Sequence, residues 1–153
     1  MLFRSIYSRI CEEAFEIVLR LLNEARNDGS SVLDRLRSLA GAYFTFYSEY
    51  NDYFQLFIFH DRGYRKVGLE RPFVNRLDEL SRQTVSILQE VIQEGIDRKE
   101  IVDVGSSKLA VLLWGSIEGL LFLDTRDYLK TYGLNIEDML RIHIDILTAG
   151  IKG

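Results

Sequence analysis

Apolar residues recur at intervals of three and four along most of the chain, with polar residues between them. In the first segment Ile6, Ile10 and Ala14 begin a stripe that continues to Ala25. This spacing places the side chains on one face of an α-helix, whereas strict alternation over the length of a strand is hard to find. The single proline, Pro72, suits the first turn of a helix. The pattern predicts an all-α fold, a single domain of about six helices.

Capping and turn residues set the expected helix boundaries. Asn27, Asp28 and Gly29 end the first helix, and Ser30 or Ser31 can cap the second by accepting a hydrogen bond from a free backbone amide. Asn51 and Asp52 can cap a short helix, Gly95 ends the fourth, and Asn135 can cap the last. The expected helices span about residues 2–26, 31–50, 53–60, 72–94, 105–124 and 136 onward.

The fifth predicted helix differs from the others because residues 109–123 are apolar almost all round. A surface helix cannot have this pattern, so this helix must be covered on every side. The last helix has one apolar face and one polar face that carries Asp138, Arg141 and Asp145. No linker or internal repeat divides the chain, so residues 1–153 are expected to form one domain.

Composition and charge exclude several functions. The net charge is -4 and the pI is about 5.2, so the chain alone lacks the clustered positive charge that nucleic acid requires. One cysteine and two distant histidines provide neither a disulfide nor a zinc site. No phosphate loop, nucleophile elbow or metalloprotease motif is present, so we expect no catalytic residues, no cofactor and no enzyme. Charged residues near the start and the lack of a long uncharged apolar run indicate a soluble, cytoplasmic protein without a membrane segment.

Three stretches carry a resemblance to a known family. They are residues 2–7 (LFRSIY), residues 33–44 (LDRLRSLAGAYF) running into 51–54 (NDYF), and residues 95–98 (GIDR) followed by 109–120 (LAVLLWGSIEGL). Their order resembles the C-terminal domain of TetR/AcrR-type transcriptional regulators. The family's helix-turn-helix would precede Leu2, so we expect this chain to lack the DNA-binding domain and to contact operator DNA only through that missing part.

The resemblance implies an effector-binding and dimerisation domain. In the family a small molecule enters a pocket between the helices and changes the spacing of two DNA-binding heads, and the last two helices of each copy pair as a four-helix bundle. These helices carry small residues and a long apolar stripe, so we expect a homodimer. The predicted dimer interface consists of Leu112, Ser116, Gly119, Leu123, Met139, Leu140, His143 and Leu147.

Aromatic residues indicate where an effector would bind. Ten of the eighteen aromatic side chains lie between Tyr43 and Tyr64. They are too many for one helix face, so either some line an apolar pocket for a small apolar or aromatic effector, or all of them are ordinary core. The predicted ligand-binding residues are Tyr43, Tyr47, Phe54, Phe57, His60, Trp114 and Glu118.

Glu118 is the only charged residue between Leu109 and Leu123, and a buried carboxylate needs a partner. It could recognise a cationic or hydrogen-bonding ligand beside Trp114, or it could form a salt bridge with an internal arginine such as Arg82. The two histidines have structural alternatives as well. His143 is expected to lie in the core or interface, and His60 can face the end of its helix.

Two other functions compete with ligand sensing. A stand-alone helical dimerisation or adaptor module would share the apolar last helices but would have a filled core. A small enzyme would require a polar constellation around Glu118, His60 and Tyr43. Neither the ligand nor the direction of regulation, repression or activation, can be read from the sequence.

Overall fold

The computed structural model describes residues 2–29, 31–56 and 70–153, and the side chains from residue 6 onward. In these ranges the chain forms helices and a single isolated β-bridge between Ile101 and Lys152. The helices are α1 (Leu2–Ala25), α2 (Val32–Glu49), α3 (Arg71–Asp97), α4 (Ser106–Thr125), α5 (Tyr128–Thr131) and α6 (Ile136–Ile151), and residues 51–56 are also helical. The predicted all-α fold is confirmed.

Two predicted caps hold their helices as expected. The Ser31 hydroxyl accepts a hydrogen bond from the backbone amide of Asp34 (3.1 Å) at the start of α2. The Asn135 side chain accepts one from the amide of Asp138 (2.9 Å) at the start of α6. Each cap satisfies one of the free amides that a helix exposes at its N-terminus.

The predicted end of α3 is wrong, because Gly95 lies inside the helix. A Cβ at this position would come within 2.7 Å of the side chains of Ile101 and Val32. Glycine is therefore needed here for close packing, and the helix continues to Asp97. Lys99 follows with a positive φ of 60°, and this left-handed residue turns the chain away from the helix axis.

Two further details differ from the expected boundaries. The helical residues 51–56 begin at Asn51, whose side-chain amide donates to the carbonyl of Tyr47 (2.9 Å), so Asn51 lies within the helix and does not cap it. The single turn of α5 was not predicted, because four residues are too few to show a helical period.

The core forms where α1, α2 and α3 pack on one another. Val18, Phe46 and Ile92 from these three helices have no exposed surface. α4 packs against α3, and α6 packs against α4. By contrast, α2 and α4 have little direct helix-to-helix packing, so side chains must fill the space between them. This space contains the candidate site.

Candidate functional site

A cavity of about 80 Å³ lies between α1, α2, α3, α4 and α6. Most of its described wall is aliphatic, with Leu36 and Leu39 from α2, Leu88 from α3 and Ile117 from α4. Protein interiors are close-packed, so a space larger than one water molecule is uncommon. The cavity is an apolar space that the described side chains leave unfilled.

Four of the described lining residues carry a polar side-chain atom, and none is charged. The Tyr43 hydroxyl donates to Glu118 Oε1 (2.9 Å) and the Thr84 hydroxyl to the carbonyl of Leu80 (3.0 Å). The Thr148 hydroxyl donates to the carbonyl of Ile144 (2.8 Å). The fourth polar group is the indole N–H of Trp114, the only tryptophan of the chain.

A filled aromatic cluster lies beside the cavity. The ring of Phe54 stands edge-on to those of Tyr43, Phe46 and Tyr47, with ring centres 4.9 to 6.2 Å apart. Phe46 and Phe54 are fully buried. The cluster therefore contributes packing to the core, and only Tyr43 of its members also reaches the cavity.

Two tyrosines of α2 span the space to carboxylates on α4. Tyr43 donates to Glu118, and one helical turn further on Tyr47 donates to Asp124. Burial and the hydrogen bond to Asp124 raise the pKa of Tyr47 well above its usual value. The predicted salt bridge between Glu118 and Arg82 is not present, because Arg82 pairs with Glu79 on the surface of its own helix.

The predicted ligand-binding residues have different locations in the structure. Tyr43 and Trp114 line the cavity, and Glu118 lies behind Tyr43 as its hydrogen-bond acceptor. Tyr47 and Phe54 belong to the filled aromatic cluster. The remaining two, Phe57 and His60, lie outside the described residues.

Most of the described wall was not predicted as a binding site. Its aliphatic members, such as Leu36 and Leu88, have the spacing of ordinary core residues. Thr84 and Thr148 are the signals that could have marked the wall, because each is a polar residue among apolar neighbours that also line it.

A second feature is an exposed apolar surface on α4 and α6, which we name the partner face. The Leu112 side chain is 66% exposed and that of Ile146 is 64% exposed. A Cβ added at Gly115 or Gly119 would meet no atom within 4 Å, so this side of α4 is open in a single chain. The partner face comprises Val111, Leu112, Gly115, Gly119, Leu123, Ile142 and Ile146.

The predicted interface residues lie partly on this surface. Leu112, Gly119 and Leu123 are exposed, whereas Leu140 is buried in the core of its own chain and Leu147 lines the cavity. The exposed face of α6 is formed instead by Ile142 and Ile146, which lie beside the predicted positions. The interface residues Ser116, Met139 and His143 are half-buried.

Burial lowers the pKa of His143, and its Nε2 atom is buried without a hydrogen-bond partner. The imidazole is therefore held in its neutral form more strongly than a free histidine. Among the described side chains no group of three His, Cys, Asp or Glu residues could hold a metal ion.

By length and composition alone, α4 is the one described helix that could cross a membrane, with a mean hydropathy of 1.4. Only 22% of its most apolar window is buried within the chain. α4 nevertheless packs against α3 and α6 in a bundle whose other helices are amphipathic. Its outer apolar surface is therefore exposed in a single chain.

Comparison with known proteins identifies the fold. Neither a family model nor a curated protein matches the sequence. A solved structure of a protein of unknown function from Rhodococcus sp. RHA1 matches with a TM-score of 0.80 and 18% identity, over 96% of this chain and 72% of that chain. A bacterial regulatory protein of the TetR family from Rhodococcus RHA1 matches with a TM-score of 0.75 and 15% identity, over 97% of this chain and 74% of that chain.

The chain has a TetR-like fold. Sequence identities of 15% and 18% establish this likeness at the level of the fold. Within the TetR-like fold, the cavity and the partner face are properties of this chain's own residues.

Proposed function

We propose that this chain is the small-molecule-sensing and dimerisation domain of a TetR-type transcriptional regulator. The observation that carries the proposal is the apolar cavity between five helices of a TetR-like fold. A ligand in this cavity would control DNA binding by a helix-turn-helix domain outside these 153 residues. The proposed role is regulatory rather than enzymatic, and it places the chain in the cytoplasm.

The partner face supports the homodimer. Exposed leucine and isoleucine side chains on two adjacent helices are costly to leave in water, because each buried side chain of this size contributes about 1.5–3 kcal/mol. Gly115 and Gly119 leave the backbone of α4 open to close approach by another helix. A two-fold axis through this surface would bring the same residues of both copies together.

Coupling between ligand and DNA requires that the ligand bind two arrangements of the dimer with different affinity. α1 is suited to transmit the change, because it packs on α2 and α3 and contributes Leu22 to the cavity wall. Filling the cavity would therefore act directly on the helix that the resembled family connects to its DNA-binding head.

A screen of neutral small molecules by thermal shift tests the proposal. Thr84→Leu places a larger apolar side chain in the cavity, while Thr84→Val keeps the shape of the residue and removes only its hydroxyl. We expect compounds that raise the Tm of the wild-type chain and of Thr84→Val but not that of Thr84→Leu. Binding that is equally strong in both variants would locate the ligand elsewhere and contradict the proposal.

A dimerisation or adaptor module without a ligand is the alternative function. Two observations favour it: the cavity is small, and all three lining hydroxyls of the described wall already donate within the protein. This alternative predicts a dimer through the partner face and no stabilising compound in the screen.

A further inference from the structure

We propose that the cavity recognises a compact, neutral molecule that carries one hydrogen-bond acceptor, and that the indole N–H of Trp114 is the group that binds this acceptor. The inference rests on the proposed function, because it names the class of ligand for the same cavity.

The described part of the wall disfavours charged ligands. None of its described residues is charged, and a charge moved from water into an apolar space without a partner is strongly disfavoured. The nearby carboxylate of Glu118 accepts the Tyr43 hydroxyl and is not part of the described wall. The sequence-based hypothesis of a cationic ligand at Glu118 therefore loses its support.

The polar atoms of the wall determine what the ligand must offer. The hydroxyls of Tyr43, Thr84 and Thr148 each donate their proton within the protein. Trp114 lines the cavity, and no described residue accepts a hydrogen bond from its indole N–H, so we infer that this N–H is the donor that remains for a ligand. A ligand that buries the indole N–H without offering an acceptor would leave this donor without a hydrogen bond, which costs free energy. A hydroxyl oxygen that accepts fewer hydrogen bonds than it can costs less.

The volume limits the size of the ligand. About 80 Å³ exceeds the roughly 10–15 Å³ that one water requires and is smaller than the roughly 150 Å³ of an engineered cavity that holds benzene. The cavity therefore suits a small ring or short chain of a few heavy atoms. Ketones, lactones and cyclic ethers of this size combine an apolar body with a single acceptor.

Three matched probes test this class of ligand. Acetone carries the acceptor, 2-methylpropane replaces the oxygen with a methyl group, and isopropylammonium carries a positive charge. Occupancy is measured from the methyl NMR resonances of Val85 and Leu88, which line the cavity. The indole N–H of the single tryptophan gives one further resonance that reports its hydrogen bond directly.

We expect acetone to bind roughly three- to tenfold more tightly than 2-methylpropane, which is the range of one hydrogen bond. It should shift the indole proton downfield, and isopropylammonium should not bind. In Trp114→Phe, which keeps an aromatic wall and removes the donor, the preference for the ketone should disappear. Tyr53→Phe removes a donor from an aromatic side chain outside the described wall, so it is the matched control and should keep the preference.

The outcomes separate the two proposals. Equal binding of the ketone and the hydrocarbon, a preference that survives in Trp114→Phe, or tighter binding of the ammonium probe overturns the assignment to Trp114 while the cavity remains a binding site. If no probe perturbs Val85 or Leu88, both this inference and the proposed sensing function are contradicted.

Discussion

The two longest helices after residue 70, α3 and α4, differ in how much of their apolar surface a single chain covers. α3 buries Leu77, Ile87 and Val91 in the core of its own chain. Charged residues such as Glu79 and Arg82 form its exposed face, so its apolar face is already covered. α4 buries Leu113 and Leu121 on one side but leaves other apolar residues exposed on the opposite side. An amphipathic helix is satisfied by one core, whereas a helix that is apolar all round needs a second surface to cover it.

In the proposed dimer the two faces of α4 would have separate roles. Its inner face, with Leu113, Trp114 and Ile117, closes the cavity, and its outer face, with Leu112 and Gly119, forms part of the partner face. One helix would connect ligand and partner directly, and α3 has no comparable outer surface. The predictions below test this difference.

A charge on the outer face of α4 should have the largest effect. Leu112→Lys places an ammonium group in the proposed interface, where an unpaired buried charge costs several kcal/mol, so we expect the dimer dissociation constant to rise by about 10²–10³-fold. Sedimentation equilibrium measures it. Gln83→Lys puts the same residue on the exposed face of α3 and should leave the constant unchanged. Equal dissociation constants for Leu112→Lys and Gln83→Lys would contradict an interface on the outer face of α4.

The glycines of α4 provide a more selective test. In Gly119→Leu the added Cβ has no neighbour within 4 Å and the position is exposed, so the monomer should fold and gain up to about 1 kcal/mol from the better helix former. In a close interface the added side chain should weaken the dimer by about tenfold or more. Gly41→Leu is the control, because Gly41 is also exposed, within α2 and free of neighbours within 4 Å. A dimer that tolerates Gly119→Leu as well as Gly41→Leu would contradict close packing through α4.

The hydrogen bond between Tyr43 and Glu118 of α4 should stabilise the fold more than a hydrogen bond at the exposed surface does. Tyr43→Phe removes the hydrogen bond to Glu118 in a half-buried site, and we expect a loss of about 1–2 kcal/mol and a Tm lower by about 2–8 °C. Tyr53→Phe removes a bond of the same kind to Glu13 at the exposed surface and should cost under about 0.5 kcal/mol. Urea unfolding of the two variants measures both losses in the free energy of unfolding. A loss for Tyr43→Phe that is no greater than that for Tyr53→Phe would show that the hydrogen bond to Glu118 does not stabilise the fold more than a surface contact.

Alkaline pH should weaken the connection between α2 and α4 by a smaller amount. The pKa of Tyr47 is raised above its ordinary value of 10.0, and burial raises that of Tyr7 to about 12. A tyrosine whose pKa is higher in the folded state than in the unfolded state stabilises the fold at any pH below its unfolded pKa. This contribution is lost as the pH rises towards and through the folded pKa. The free energy of unfolding should therefore fall between about pH 10 and 12. Tyr47→Phe should make the free energy of unfolding fall less steeply over this pH range. An unchanged slope would show that Tyr47 does not contribute to the pH dependence.

The helical period, the caps and the uniform apolarity of α4 could be predicted from the sequence, because each depends on neighbours along the chain. The role of Gly95 could not, since it arises from Ile101 and Val32 across the fold. The same reason explains the aromatic residues. Composition predicts that they cluster, but only packing separates Phe54, in the filled core, from Tyr43, on the cavity wall.

The interface prediction shows the same limit on a smaller scale. The apolar stripe of the last helix contains Leu140 and Ile142, and both are plausible surface or core residues by spacing alone. The position of α4 and the core decides that Leu140 turns inward while Ile142 remains exposed. A shift of two residues along a helix moves a side chain by about 200°, so a correct helix assignment does not by itself assign its faces.

The central claim is that a ligand in the cavity changes the arrangement of two copies joined through α4 and α6. The most direct test is the distance between spin labels at Arg9→Cys on α1 of the two copies, in a Cys11→Ser background, measured by pulsed electron paramagnetic resonance with and without acetone. The account predicts one narrow distance between copies that shifts when the cavity is filled. The absence of a distance between copies, or a distance that does not change while Val85 and Leu88 report bound ligand, would contradict it.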